Sequence, residues 1–140
     1  MTTTAAVTAT IENQAYLVRL SDDLGHQWLA DEPEELGGGN LAPTPDRLML
    51  ASLGSCTAIT MKMVAVRKQI AVDAITVELK LNPAGKPESG NDIERNIRVT
   101  GDLNDEQYAQ LLRAANACPM HKLLTGEVRI QTSMTPVESN

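Results

Sequence analysis

Three strand-like runs open the chain, and in the first two apolar and polar residues alternate with a period of two, the pattern of a half-buried strand. Val7 to Ile11 alternates weakly, Tyr16 to Leu20 sets Tyr16, Val18 and Leu20 on one face, and Gly25 to Ala30 is a shorter run around Trp28 and Leu29. Asp22-Asp23-Leu24-Gly25 separates the last two runs and predicts a hairpin turn. Glu32 to Asn40 reads as a loop, with the turn-forming run Gly37-Gly38-Gly39 near its end. The period then becomes helical. Thr44 suits an N-cap, Pro45 the first helical position and Asp46 the positive end of the dipole, and the pattern runs to about Gln69, with Arg67 and Lys68 favourably near its C-terminus. Gly54-Ser55 in mid-helix marks a kink or a close contact.

Strict alternation returns over Ile75 to Leu81 and again over Ile93 to Val99, across the Pro- and Gly-rich segment Asn82 to Asn91, which predicts a paired hairpin. A second helix is expected from Asn104, with Gln107 as its capping-box partner, to about Asn116. Cys118-Pro119 breaks it. A short helical turn follows over Pro119 to Leu124, ended by Gly126, and Val128, Ile130 and Thr132 predict a last strand; only the final few residues read as disordered. The expected order is three strands, helix, two strands, helix, short helix, strand. Because the strands connect mainly as hairpins, the fold class is α+β with largely antiparallel sheets.

Composition narrows the function. A chain of 140 residues fits a single domain, 1–140, large enough to fold without disulfide staples. The net charge of −6, with one Trp, two Tyr and no Phe, argues against nucleic acid, which needs a basic face and stacking platforms. It also argues against an anionic membrane surface. Leu48 to Val66 has the length of a membrane span, but its Lys62, Gly54 and hydroxyl residues predict a buried central helix instead. Met1 to Thr10 lacks the basic and apolar regions of a signal peptide. The expected location is the cytoplasm, where thiols stay reduced.

Candidate chemistry then centres on the only two cysteines, Cys56 and Cys118. Cys56 lies within the apolar helix, where a thiol often only fills space. Cys118 occupies the N-cap of a Pro-started turn. There, free N–H groups would stabilise a thiolate, with His121 three residues on to assist; the alternative is a cap and nothing more. As a pair they suit a reactive thiol and a resolving partner. Zinc is disfavoured, because no C-x-x-C occurs and His26 would have to converge from afar, so no metal and no cofactor are expected. No nucleophile signature supports a Cys-His hydrolase, and the glycine run lacks the Gly-Lys-Ser/Thr of a phosphate cradle.

Two segments also carry a resemblance. Pro43-Thr44-Pro45-Asp46-Arg47-Leu48 with Ala51-Ser52-Leu53-Gly54-Ser55-Cys56 resembles the reactive-cysteine helix of the OsmC/Ohr family, the osmotically induced and organic-hydroperoxide-resistance proteins. Ala117-Cys118-Pro119-Met120-His121-Lys122-Leu123-Leu124 is similar to that family's second-cysteine motif, and the details are closest to an OsmC-like redox branch. The resemblance implies an intertwined homodimer with active sites at the subunit interface. It implies that Cys56 reduces organic hydroperoxides, that Cys118 resolves the product as a disulfide, and that an external dithiol such as a lipoyl-bearing protein restores both. It places Asp46 where the family has a carboxylate, usually Glu, ten residues before the cysteine, and leaves Arg19, the only arginine before Arg47, for the family's activating arginine. Two readings stay beside it: a small-molecule-binding protein and a thiol redox sensor on the same fold.

Overall fold

In the computed structural model, residues 4–137 are described, so the expectation of disorder at the last few residues lies largely outside them. The elements are β1 (Val7–Ile11), β2 (Val18–Asp22), β3 (Gln27–Ala30), α1 (Pro45–Arg67), β4 (Ala71–Leu81), β5 (Ile93–Asp102), α2 (Asp105–Asn116) and α3 (Pro119–Thr125), with a 3-10 turn at Glu34–Leu36. The class is α+β, with β1-β2-β3 forming one sheet and β4-β5 another. The chain divides into two compact units: Met1–Ser52 with Glu78–Asn96, and Leu53–Val77 with Ile97–Asn140.

In the first unit, β2 pairs antiparallel with both neighbours, in the register Ala9↔Leu20↔Trp28 and Thr10↔Arg19↔Leu29. Alternation therefore sends Ala9, Leu20 and Trp28 to one face and Thr10 and Arg19 to the other. β2 begins two residues later than the alternation suggests, because Leu17 N–H bonds Gln14 O in a turn (3.1 Å). The Asp22–Gly25 hairpin forms as expected, with Gly25 at φ 92°.

After β3 the chain is clasped by a carboxylate. Asp31 is 2% exposed and accepts N–H bonds from Glu32 (2.8 Å), Leu41 (3.1 Å) and Gly39. The glycine run is a tight turn, and a Cβ on Gly38 would lie 2.1 Å from Glu32 O. These N–H groups, Glu32's foremost, hold the Asp31 carboxyl below its ordinary 3.8. A depressed folded-state pKa means a contribution that is present above the unfolded value and lost as pH falls through the folded one. Asp31→Asn is therefore expected to lower the melting temperature at neutral pH and flatten its fall in acid; parallel acid limbs for the two chains would refute this.

α1 runs unbroken through Gly54, which is buried. It stops at Arg67 because Gln69 turns left-handed at φ 55°, letting Ile70 N–H reach back to Ala65 O at 2.8 Å. Its buried side is the i, i+4 stripe Leu53, Thr57, Met61 and Ala65, with Gly54 beside Leu53. By length and composition it is a helix that could cross a membrane, and 22% of its most apolar window is buried. The buried central helix expected from the sequence is buried on this one side, while Ile59, Met63 and Val66 on the other are 54%, 64% and 67% exposed.

The second unit packs that stripe against α2. Met61, Ala65 and Ile70 meet Leu111, Ala114 and Ala115, flanked by Val72, Ile75, Ile97 and Val99 of the hairpin. α2 begins with the expected capping box: Gln107 N–H to Asn104 Oδ1 at 2.8 Å and Asn104 N–H to Gln107 Oε1 at 3.1 Å. β4 and β5 extend past the predicted ends, as far as Ala71 and Asp102, where Gly101 allows a close approach. At φ 153°, a Cβ there would sit 2.2 Å from Ala71 O. Gly101→Ala is expected to cost about 1–3 kcal/mol of stability, read as a lower denaturant midpoint. An unchanged midpoint would mean that the two backbones separate freely.

The last predicted strand is absent. Residues 127–137 carry no regular structure, and Ile130 is 84% exposed. Alternation supplies a strand with two faces but no partner edge, and an unpaired strand leaves its backbone groups to water.

Candidate functional site: two sulfurs on one helical turn

Both cysteines are thiols, and both belong to the second unit. Cys56 projects from α1 and is partly exposed, whereas Cys118 is fully buried at the N-cap of α3. The first turn of any helix has N–H groups with no intrahelical partner. In α3 the first position is Pro119, which has no N–H to offer. The next two N–H groups each meet a sulfur: Met120 donates to Cys56 Sγ at 3.5 Å and His121 to Cys118 Sγ at 3.3 Å. Lys122 N–H, the next, bonds Cys118 O at 3.2 Å. One turn of backbone therefore holds both sulfurs with its positive dipole end, the polarity that negative charge on sulfur requires.

His121 thus contributes its main-chain N–H to Cys118. Thr57, which the sequence does not single out, also approaches Cys118. Thr57 is fully buried, its hydroxyl donates to Leu53 O at 2.7 Å, and its Oγ1 lies 3.8 Å from Cys118 Sγ. A hydroxyl at the centre of an otherwise apolar i, i+4 stripe was the available signal.

The charged candidates lie in the first unit. Thr44 stands just ahead of Pro45, its carbonyl accepting Leu48 N–H at 3.0 Å. Its hydroxyl donates to Asp46 and accepts from Arg47 Nη1 at 2.9 Å. The Thr44 hydroxyl, with Arg47 beside it, holds the Asp46 carboxyl below the usual range. Asp46 and Cys56 share one unbroken helix, so ten residues of rise, about 15 Å, separate them along its axis. Arg19 lies on the polar face of the sheet and pairs with Glu12. His26 bonds Asp22 at 2.8 Å. Among the described residues, no group of three or more His, Cys, Asp or Glu side chains is placed to hold a metal ion.

An α+β chain that gathers two thiols, one from a long helix and one from a Cys-Pro turn, defines a class of two-cysteine thiol proteins. The family model described as OsmC-like protein matches residues 37–133, and the chain belongs to that family. The fold is that of an OsmC-like protein from Mycoplasma pneumoniae (TM-score 0.74, 17% identity, 90% of each chain covered). It is also similar to the organic hydroperoxide resistance protein OhrB of Bacillus subtilis (TM-score 0.59, 27% identity, 89% of this chain and 92% of that one). A third likeness is to the organic hydroperoxide resistance protein OsmC from Legionella pneumophila (TM-score 0.62, 24% identity, 89% and 90%). No curated protein sequence matches the chain.

Proposed function

We propose that the chain is a thiol-dependent hydroperoxide reductase with a role in peroxide resistance, and that it prefers organic hydroperoxides. Cys56, the more accessible sulfur, attacks the distal peroxide oxygen. An S–O bond forms, the O–O bond breaks, and the alcohol leaves with a proton. Cys118 then attacks the Cys56 sulfenic acid, giving a disulfide and water, and an external dithiol, lipoyl-bearing or otherwise, returns both thiols. The observation that carries this reading is the pair of neighbouring N–H groups, Met120 and His121, on the two sulfurs.

The reading treats residues 1–140 as one domain acting in the cytoplasm as a homodimer. Two features support a second copy: the exposed Ile59, Met63 and Val66 stripe of α1, and the alternating residues 128–132 that lack a partner edge. Asp46, far along the helix from its own Cys56, and Arg19 are proposed to serve across that dimer, with Arg19 exchanging Glu12 for the site.

The test is intact mass and free-thiol count after titrating the reduced protein with cumene hydroperoxide, with hydrogen peroxide alongside. The expected result is stoichiometric loss of two thiols, faster with the organic peroxide. Two untouched thiols would defeat the enzyme. They would favour the second reading, a small-molecule-binding or redox-sensing protein, which the engagement of Asp46 with Thr44 and of Arg19 with Glu12 supports.

A further inference from the structure

The hydroxyl that lies against the buried sulfur has no part in the scheme above. A threonine in a helix commonly returns its proton to the carbonyl four residues back, so the Thr57–Leu53 bond alone signifies little. Its place is less ordinary. Thr57 is fully buried, and Leu53, Met61 and Ala65 above and below it on the same stripe are apolar. Valine would fill the same space without bringing an oxygen into the core, where polar atoms are costly. The oxygen lies 3.8 Å from Cys118 Sγ, and His121 N–H reaches the same sulfur at 3.3 Å.

We infer that Thr57 is a positioning residue for Cys118, holding the resolving thiol in place and exchanging hydrogen-bond roles as it ionises. The inference rests on the proposed pairing of Cys56 with Cys118. While Thr57 donates to Leu53 O, its lone pairs accept the Cys118 S–H and orient the sulfur. When Cys118 gives up its proton, the hydroxyl rotates and donates to the thiolate, beside the N–H of His121. The thiolate attacks the Cys56 sulfenic sulfur; the S–S bond forms, the S–O bond breaks, and the departing hydroxide takes up a proton to leave as water. Two electrons pass from the Cys118 sulfur to the Cys56 sulfur, and no further oxidant is needed. Cys56 takes its N–H from Met120, so the two sulfurs are served by different groups and the hydroxyl acts on one of the two chemical steps.

The step can be isolated without peroxide. Dithiodipyridine reacts with Cys56 to give a mixed disulfide and one pyridinethione; attack by Cys118 then closes the protein disulfide and releases a second. Both releases are followed by absorbance in the full-length reduced protein, its Thr57→Val variant and its Thr57→Ser variant. Removing a hydrogen bond to a charged sulfur is expected to slow the second release relative to the first about tenfold in Thr57→Val. Thr57→Ser, which keeps the hydroxyl but loses a methyl, is expected to restore the wild-type ratio. A Thr57→Val chain that closes as fast as wild type would overturn the inference. So would a Thr57→Ser chain as slow as the valine, since packing rather than the hydroxyl would then be responsible, or a wild-type chain with no second release. Because no hydroperoxide enters the assay, these outcomes stand apart from any failure of the peroxidase reading.

Discussion

A Cys56→Ser chain is expected to consume cumene hydroperoxide no faster than buffer does, a fall of several orders of magnitude of the kind that follows loss of a nucleophile. Serine is nearly the same size and its hydroxyl oxygen can accept the Met120 N–H, so the turn should survive while the chemistry goes. Cys118→Ser is expected to behave differently. It should consume one equivalent, gain one oxygen on Cys56 and stop, with the sulfenic acid trapped by dimedone and visible in the intact mass. The contrast between the two variants assigns the order of events. A Cys56→Ser chain that turned over normally would move the reactive thiol to Cys118 or remove the thiol mechanism altogether.

Leu111→Ala is expected to be among the most damaging of the core truncations. Leu111 is 1% exposed and packs in the cluster that joins α2 to the Met61 and Ala65 stripe of α1. Emptying it removes transfer energy and leaves a cavity, together about 2–5 kcal/mol. That is a large share of the ~5–15 kcal/mol by which domains are stable, and it should lower the melting temperature by roughly 10 °C. The damage should reach the chemistry, because α2 ends two residues before Cys118. A melting temperature within a degree or two of wild type would mean that the cluster collapses onto the vacancy and that α2 is held by other contacts.

Local signals are legible in the sequence, because the physics behind them is local. Thr44-Pro45, the Asn104–Gln107 box and Cys118-Pro119 each fall at a helix start, since a cap and a missing N–H act within one turn. The ends that depend on distant partners were not legible. Gln69 takes the left-handed conformation usually given to glycine, so nothing in its identity announces the stop. β4 starts four residues early because its first residues lie against Gly101, thirty positions on, while Asp73 and Ala74 interrupt the alternation. Residues 128–132 alternate without forming a strand, because periodicity describes faces and a ladder needs a second edge. At the site, the two cysteines and their motif could be read directly. Thr57 gave only a weaker signal: α1 carries four hydroxyl residues, Ser52, Ser55, Thr57 and Thr60, and only Thr57's place on the Leu53, Met61 and Ala65 stripe sets it apart, without saying what lies opposite.

The proline at the head of α3 has a wider consequence. Lysine beside a thiol gives a mobile charge on a long stem, open to neutralisation by acylation. Here the positive ends facing the two sulfurs are peptide dipoles, fixed by the helix and unable to titrate, to be modified or to swing away. A cell could acylate every lysine on this protein without taking those two N–H groups from the sulfurs. Only unwinding the turn, or a substitution that reshapes it, would remove them.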